Sequence, residues 1–394
     1  MTSLRIVILT YSTHPRGGVI HAMELAEALH ALGHEVCVFG LDKTGAGFPR
    51  ALDCKSVCIP AAPAPENTDE LIALRIREYV EYFSASDRSF DIYHAQDCIS
   101  ANALIALRDR HVIPHVIRTV HHIDEFNSPY LRECQERSIV EADRCLCVSE
   151  VWERELHDRY AIEAFRVRNG VNLQRFSSHP SGKETDLKQR LGSNGSPVIL
   201  TIGGIEPRKN SIRLLQAFAK IRERHPNAQL VIAGGSTLFD YQEYRREFFV
   251  EVERLNVPLQ SALVLPGSIP DADMADLYRC ADAFAFPSVK EGWGLVVLEA
   301  IASGIPVVTS NIAPFTEFLD PSQAVLVDPE SVEAIAAGLL QSLDREAAAA
   351  LIHHAAAVVR DYDWTISARL HAEIYQQVLA SDRALGLTEE AQEQ

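Results

Sequence analysis

No apolar run in the 394-residue sequence approaches the roughly 18 residues that a membrane-spanning helix requires. The opening stretch, Met1 to Thr10, is apolar only briefly and continues into Tyr11 and His14 without a small-residue cleavage site. We therefore predict a buried first strand instead of a signal peptide. Together these absences predict a soluble, cytoplasmic protein.

Cysteine is scarce and scattered. Two close pairs occur among the eight cysteines, Cys54 with Cys58 and Cys145 with Cys147, and neither has the second pair or the histidines of a zinc site. Core thiols in a reducing cytosol are the better explanation.

Acidic residues outnumber basic ones. The sequence has 37 Lys and Arg and 54 Asp and Glu, which gives a formal net charge of -17. This balance works against a general nucleic-acid role and against broad binding to anionic lipid. Any anionic ligand must therefore be held by a local group of cations.

What the sequence does have is length and a repeated alternation of apolar patterns. A chain of 394 residues exceeds what one compact core usually serves, so two domains are expected. Short continuous apolar runs alternate with stretches of helical spacing, which predicts an α/β protein with buried parallel strands. The predicted strands are Arg5 to Thr10, Glu35 to Phe39, Ile92 to Ala95, Val116 to Val120 and Arg144 to Val148, then Val198 to Ile202, Leu230 to Ala233, Leu263 to Leu265, Ala283 to Phe286 and Val307 to Thr309.

The predicted linker lies within Ser177 to Pro197, which is rich in Ser, Gly, Pro and charge and lacks an apolar period. We expect two Rossmann-like domains that face a central cleft, over residues 1–180 and 181–365. A helix over 366–382 is expected to cross back towards the first domain, and a disordered tail over 385–394 is expected to follow.

A distinctive segment follows the predicted strand Ala283 to Phe286, at the strand end where open parallel sheets bind ligands. It is Glu291-Gly-Trp-Gly-Leu-Val-Val-Leu-Glu299, and it leads into a helix that begins near Leu295. Gly292 and Gly294 let a ligand approach backbone N–H groups at a positive helix end, which suits a diphosphate. The two carboxylates are better suited to accept hydrogen bonds from sugar hydroxyls.

This Glu-x7-Glu segment, in a strand–loop–helix setting, resembles the signature of the GT4 family of retaining glycosyltransferases. The resemblance implies the GT-B fold, with the first domain on the acceptor side and the second binding a nucleotide sugar. It also implies that Glu291 acts on the donor sugar and that Glu299 binds the nucleotide ribose. The remaining donor-binding candidates are Ile269, Gly292, Trp293, Gly294 and Leu295, of which Ile269 and Trp293 are expected to shape base and sugar selection.

A basic pair, Arg208 and Lys209, follows the predicted strand Val198 to Ile202. Two cations at a strand end can neutralise a diphosphate leaving group as charge builds on it, although a solvated basic turn is the alternative. GT4 members usually place an Arg directly after this strand and a Lys five residues on. Lys209 matches the family's Lys, but Gly204 stands where the Arg is common, so we expect Arg208 to take over its role.

The first-domain candidates also follow predicted strands. Gly17-Gly18 resembles the family's glycine pair near the donor phosphates, and its spacing gives little support to a dinucleotide oxidoreductase. His121 matches a histidine of many GT4 enzymes and is a candidate to bind the transferred sugar or the acceptor. The neighbouring His122 is a weaker candidate, and the acceptor-side candidates are Tyr11 and Asp97.

A metal site is not expected. Asp271-Ala-Asp273 fits the Asp-x-Asp pattern that holds a metal in a different glycosyltransferase fold, but it directly precedes a predicted helix, where an Asp caps naturally. No further oxygen ligands cluster nearby in the sequence. We therefore expect no metal and no cofactor beyond the donor substrate. Asn169-Gly-Val-Asn172 resembles the family's turn between the domains and is expected to be structural.

The sequence therefore predicts a metal-independent hexosyltransferase that moves a sugar from a nucleotide-diphosphate donor to an acceptor hydroxyl with retention. A sugar-nucleotide 2-epimerase and a non-catalytic sugar-nucleotide-binding regulator are the alternatives. The nucleotide, the sugar, the acceptor and the oligomeric state stay open. Peripheral membrane contact also stays open; it directs attention to Leu71 to Phe83, with Arg75 and Arg77, although a helix packed on its own sheet explains this stretch better.

Overall fold

The computed structural model describes residues 2–235 and 241–392, with side chains described as far as Ser381. The strands are β1 Arg5–Thr10, β2 Glu35–Asp42, β3 Lys55–Pro60, β4 Ile92–Ala95, β5 Ile117–Val120, β6 Arg144–Cys147, β7 Phe165–Arg166, β8 Val198–Ile202, β9 Gln229–Ala233, β10 Leu263–Gly267, β11 Ala283–Phe286, β12 Val307–Ser310 and β13 Val325–Val327. The α-helices are α1 Gly17–Ala31, α2 Thr68–Ser84, α3 Cys98–Arg108, α4 Pro129–Val140, α5 Glu150–Tyr160, α6 Glu184–Leu191, α7 Ser211–Arg224, α8 Gln242–Arg254, α9 Met274–Arg279, α10 Leu295–Ala302, α11 Val332–Leu343, α12 Arg345–Ala355, α13 Val358–Asp361 and α14 Trp364–Gln392.

The chain forms two compact units, one of Met1–Asn169 with Trp364–Gln394 and the other of Gly170–Asp363. The first unit holds a seven-stranded parallel sheet in the order β3-β2-β1-β4-β5-β6-β7, and the second holds a six-stranded parallel sheet in the order β10-β9-β8-β11-β12-β13. Both orders reverse once, between β1 and β4 and between β8 and β11. In doubly wound sheets the ligand site lies at the carboxyl ends of the strands beside such a reversal. The predicted α/β architecture with two Rossmann-like sheets is confirmed.

Each sheet has its own core. In the first unit the strands pack on α2 and α3 through fully buried residues that include Leu9, Phe39 and Tyr79. In the second unit α7 and α11 cover the sheet through residues such as Phe218 and Leu339. Three strands were absent from the prediction. β3 buries only Ile59 and the two-residue β7 is exposed, whereas β13 is apolar, Val-Leu-Val, but only three residues long and at the sheet edge.

The stretch Ser177 to Pro197, predicted as the linker, is instead part of the second unit and contains α6. Its polar residues are anchored: Glu184 accepts a hydrogen bond from Arg279 at 2.7 Å, and the Ser181 hydroxyl donates to Asp276 at 2.7 Å. Leu187 supplies the apolar contact, with 1% of its surface exposed. Composition predicted a linker because the stretch lacks an apolar period. In the structure, polar contacts hold this stretch against the second unit instead.

Helix α14 belongs to the first unit, where Ala368, Ala372 and Tyr375 are fully buried. The backbone of α14 is described to Gln392, while its side chains beyond Ser381 lie outside the described residues. The predicted tail over 385–394 falls there and stays a prediction. No helix in the described part of the chain has both the length and the apolar character needed to cross a membrane.

Candidate active site

The loop after β8 is shaped by two glycines with positive φ. Gly203 has φ 129°, and a Cβ there would lie 2.7 Å from Cε of Lys209, so its missing side chain makes room for the lysine stem. Gly204 has φ 79°, and a Cβ there would lie 2.9 Å from the carbonyl oxygen of Gly235. A side chain at position 204 is therefore obstructed, and the backbone conformation there favours glycine.

The loop after β8 is fastened to the loop after β11. The Val289 N–H donates to the Arg208 carbonyl at 3.0 Å. The Asn210 amide donates to the carbonyls of Pro287 at 3.0 Å and Pro329 at 2.6 Å, and Asn210 is 2% exposed. It adopts a left-handed conformation, φ 59°, at the start of α7. Asn210 was not predicted as a site residue, because its burial is visible only in the structure, and the sequence shows only that it directly follows the basic pair.

The two loops bring Lys209, Arg208 and Glu291 together. One carboxylate oxygen of Glu291, Oε1, lies 2.7 Å from Lys209 Nζ and 2.7 Å from Arg208 Nη1. Lys209 Nζ also lies 4.2 Å from the centre of the Phe286 ring, where a cation is attracted to the aromatic face. Arg208 is the more exposed of the two cations, and its Nη2 lies 3.7 Å from Glu206. The predicted catalytic trio of the second domain is thus one contiguous charged cluster.

Burial and neighbouring charge set the protonation of this cluster. Burial, followed by the nearby Arg208, lowers the pKa of Lys209 to about 8. Burial alone would raise the pKa of Glu291, but Arg208 and Lys209 hold it below its usual range. Near neutral pH the cluster therefore contains two cations and an ionised carboxylate.

Helix α10 begins beside this cluster. Gly294, immediately before it, has φ 102°, and a Cβ there would lie 2.7 Å from the Phe315 ring. The first turn of α10 contains no acidic residue and no side chain caps it. Further along, Glu299 accepts a hydrogen bond from the buried Tyr278 hydroxyl at 2.7 Å. Burial and Glu299 raise the pKa of Tyr278 well above its ordinary value, so it stays the donor.

Trp293, which was predicted as a donor-binding residue, packs against other aromatic rings of the second unit. Its ring is 6% exposed, stacks on Phe318 with 4.8 Å between centroids, and lies 5.4 Å from Tyr362. The ring faces are thus used in packing, and the buried indole N–H has no hydrogen-bond partner among the residues that the structure describes. The other donor-binding candidates, Ile269, Gly292 and Leu295, are half-buried.

The Asp-x-Asp segment forms a 3-10 turn whose carboxylates pair with arginines. Asp271 lies 2.7 Å from Arg175, and Asp273 lies 3.0 Å from Arg190. Asp273 precedes α9 without capping it through its side chain, so the capping expectation was wrong. Within the described residues, no group of three or more His, Cys, Asp or Glu is arranged to hold a metal ion.

In the first unit, the predicted glycine pair opens α1 and lies beside His121. A Cβ on Gly18 would meet the His121 ring at 3.6 Å, whereas one on Gly17 would meet nothing within 4 Å. His121 Nε2 lies 2.9 Å from Oε1 of Gln96, which follows β4. His122 is exposed, and its Nε2 lies 3.1 Å from Asp124.

Asp97 ties two strand ends together at the sheet reversal of the first unit. Its Oδ2 accepts the Tyr11 N–H at 2.7 Å, and its Oδ1 accepts the Ser100 N–H at 2.8 Å, which caps α3. Burial raises the pKa of Asp97. Both carboxylate oxygens of Asp97 therefore accept backbone hydrogen bonds. These bonds hold the loops after β1 and β4 in place.

Two further stretches have structural roles. Arg75 of α2 is 2% exposed and binds Glu78 at 2.7 Å, so it contributes no cation to a surface patch, whereas Arg77 is exposed. Asn169 Oδ1 lies 2.9 Å from the buried His21, and Asn172 Oδ1 accepts backbone N–H groups of the following turn.

Comparison with known proteins matches both halves of the chain to glycosyltransferase families. The model described as Glycosyltransferase Family 4 matches residues 15–175, and Glycosyl transferases group 1 matches residues 183–357. A phosphatidyl-myo-inositol mannosyltransferase of Mycobacterium tuberculosis is 28% identical over 396 residues, covering 95% of this chain and 97% of its own. A glycogen synthase of the same organism is 27% identical over 307 residues, covering 74% of this chain and 70% of its own.

Solved structures share the fold over nearly the whole length. Sucrose-phosphate synthase from Thermosynechococcus elongatus superposes with a TM-score of 0.77 at 23% identity, covering 95% of this chain and 99% of the other. Anabaena HepE in complex with UDP-glucose gives a TM-score of 0.78 at 19% identity, covering 95% and 100%. With the Glu-x7-Glu segment at the start of α10 and family matches to both units, the chain belongs to the GT4 family of glycosyltransferases, with the GT-B fold.

Proposed function

We propose that this glycosyltransferase is a retaining, metal-independent enzyme that moves a hexose-type sugar from a nucleotide-diphosphate donor to an acceptor hydroxyl. The observation that carries the proposal is the shared oxygen of Glu291, 2.7 Å from both Lys209 and Arg208. Two cations held this close, in the loop after β8, form the local positive site that an anionic ligand needs on a chain of net charge -17.

Once a donor binds, the two cations and Glu291 are expected to contact different parts of it. A diphosphate offers several oxygens to Lys209 and Arg208, and it can replace Glu291 as their partner. Glu291 is then available to accept hydrogen bonds from sugar hydroxyls. Because the cations are largely shielded from water, they stabilise charge on the leaving phosphate more strongly than exposed cations could.

The start of α10 supports the same ligand. Its positive dipole end, with no side-chain cap and no acidic residue in the first turn, favours phosphate oxygens. Glu299 lies on the same helix, where Tyr278 orients one of its oxygens. In this proposal Glu299 binds the ribose, as the family resemblance implies.

Retention follows from the chemistry proposed for these groups. With the donor bound, Glu291 accepts hydrogen bonds from the sugar hydroxyls, so it is a poor nucleophile. We therefore favour front-face substitution, in which the departing phosphate oxygen takes the proton of the acceptor hydroxyl. Lys209 and Arg208 supply the charge stabilisation that a metal provides in other enzymes, so neither a metal nor another cofactor is included in the proposal.

The choice of donor follows the solved neighbours. HepE was crystallised with UDP-glucose, and starch synthase IV of Arabidopsis thaliana with ADP and acarbose. UDP-, GDP- and ADP-sugars are therefore the set to test. The acceptor-side candidates Tyr11, Asp97 and His121, together with a cytoplasmic location, stay predictions.

A thermal-shift screen tests the donor site. A ligand that binds only the native protein stabilises it by about 2.7 kcal/mol at a hundredfold excess over Kd, so one donor class should raise the Tm by several degrees. Lys209→Ala and Glu291→Ala should remove that rise. Lys220→Ala is the matched control, because Lys220 is a half-exposed lysine paired with Glu333 on α11. No stabilisation by any donor, or equal stabilisation of the variants, would contradict the proposal.

A further inference from the structure

A chain of hydrogen bonds runs through the first unit from His121 to helix α14. His121 Nε2 lies 2.9 Å from Gln96 Oε1, and Gln96 Nε2 lies 3.3 Å from His94 Nε2. His94 Nδ1 lies 2.8 Å from the Tyr375 hydroxyl. His94 and Tyr375 are fully buried and Gln96 is 2% exposed, so water does not compete for these contacts.

The chain has a direction, because an amide oxygen only accepts. His121 must carry its proton on Nε2 to donate to Gln96 Oε1. The Gln96 amide nitrogen can only donate, so it requires an unprotonated His94 Nε2, whose single lone pair is shared between Gln96 at 3.3 Å and the Thr119 hydroxyl at 2.7 Å. His94 is left with its proton on Nδ1, which it donates to Tyr375.

Both histidines are neutral in this arrangement. Burial lowers the pKa of His94 and of His121 well below the ordinary value. The titratable and charged groups that face them oppose protonation further: Arg118 of β5 carries a charge, and His21 of α1, His371 of α14 and His122 beside His121 would repel a second imidazolium. A neutral imidazole whose Nε2 is occupied has one functional atom left, Nδ1.

We infer that Gln96, His94 and Tyr375 are positioning residues that fix His121 as the Nε2-protonated tautomer, so that Nδ1 accepts a hydrogen bond from a substrate hydroxyl. His121 is half-buried, its ring lies beside Gly18 at the start of α1, and no bond to Nδ1 occurs among the described residues. Helix α14, more than 200 residues further along the chain, thereby sets the chemistry of a residue at the carboxyl end of β5. The inference rests on the proposed function only for its kinetic test.

The direct test is nuclear magnetic resonance of protein labelled with ¹⁵N-histidine, with His121 and His94 assigned through His121→Gln and His94→Gln. Near neutral pH the ¹⁵N shifts should show a protonated Nε2 on His121 and a protonated Nδ1 on His94. A protonated Nδ1 or an imidazolium on His121 would overturn the inference, because the chain would then run in the opposite direction or be absent. This test needs no turnover, so it stands even if the proposed transferase activity fails.

The kinetic test uses hydrolysis of UDP-glucose as the probe reaction. Gln96→Ala should lower kcat about tenfold, the size of one lost hydrogen bond, with little change in the KM of the donor. Gln96→Glu keeps an accepting oxygen at the same place and should restore activity at alkaline pH. It should lose activity as pH falls, because a carboxylate raises the pKa of His121 and a doubly protonated ring cannot accept.

Tyr375→Phe should lower kcat less than Gln96→Ala, because it removes the acceptor of His94 and leaves Gln96 in place. Ser367→Ala is the control on the same helix, since it removes only a 3.5 Å contact of the Ser367 hydroxyl with His371 Nδ1, which keeps its 2.8 Å contact with the Ser367 carbonyl. If Gln96→Ala and Gln96→Glu have the same pH profile, or if Ser367→Ala lowers kcat as much as Gln96→Ala, Gln96 has only a structural role and the inference is wrong.

Discussion

Gly294 is the residue at which backbone conformation and packing both require glycine. Its φ of 102° is unfavourable for any residue with a Cβ, and a Cβ would lie 2.7 Å from the Phe315 ring. We predict that Gly294→Ala lowers the free energy of unfolding by about 2–4 kcal/mol, measured by urea denaturation. Gly17→Ala is the control, because position 17 is helical and open, and its stability should change by less than about 1 kcal/mol. Equal stability of the two variants would refute the requirement for glycine at 294.

Lys209 makes the proposed activity sensitive to alkaline pH. Because its pKa is lowered to about 8, mainly by burial, the charge that stabilises the leaving phosphate is lost as pH rises through this value. We predict that kcat/KM for the donor falls above about pH 8. Lys209→Arg keeps its charge to much higher pH, so any activity it retains should fall only at higher pH. An unchanged alkaline limb in Lys209→Arg would show that another group titrates.

The same residue affects stability with the opposite trend. The unfolded chain binds the Lys209 proton more tightly than the folded chain, because the folded pKa of about 8 lies below the ordinary 10.5. The resulting destabilisation is fully present below about pH 8 and is relieved as pH rises towards 10.5. Loss of activity above pH 8 should therefore occur without loss of fold, which circular dichroism at each pH can verify.

At the scale of elements, Asn210 joins the strand ends that hold the site. Its amide binds the carbonyls of Pro287 and Pro329, and its left-handed backbone begins α7. We predict that Asn210→Gly, which tolerates the backbone conformation, lowers the free energy of unfolding by about 2–3 kcal/mol through lost hydrogen bonds. Asn210→Ala should cost about 1 kcal/mol more because it adds backbone strain. Chemical denaturation of both variants separates the loss of hydrogen bonds from the backbone strain. Equal losses in the free energy of unfolding would refute the contribution of strain.

The elements show which features a single sequence can predict. Strong apolar runs predicted the central strands, and the strand-end rule placed Glu291, Lys209 and Arg208 correctly on neighbouring loops. The partners of these elements could not be predicted, because the contacts that matter join residues far apart in the chain. Tyr278 to Glu299, Asp97 to Tyr11 and Gln96 to His121 are such contacts. The packing of Trp293 against Phe318 and Tyr362 could not be predicted either, because a sequence does not show which way an aromatic ring turns.

For the whole molecule, the last helix belongs to the unit that contains the first residues. Tyr375 is fully buried on α14, while Glu373 nearby is exposed. We predict that Tyr375→Ala costs about 3–5 kcal/mol and speeds hydrogen exchange in Met1–Asn169 but not in Gly170–Asp363, whereas Glu373→Ala changes neither. Faster exchange in both units would show that they do not respond separately.

The central claim is that Lys209, Arg208 and Glu291 activate a nucleotide sugar for transfer with retention. Its most direct test is ¹H nuclear magnetic resonance of the purified protein incubated with the donor that stabilises it, with water and a panel of sugar acceptors present. We predict release of the nucleoside diphosphate and a product whose first-formed anomer matches that of the donor, with no turnover by Lys209→Ala. An inverted first anomer, an isomerised nucleotide sugar, or tight donor binding without turnover would contradict the account.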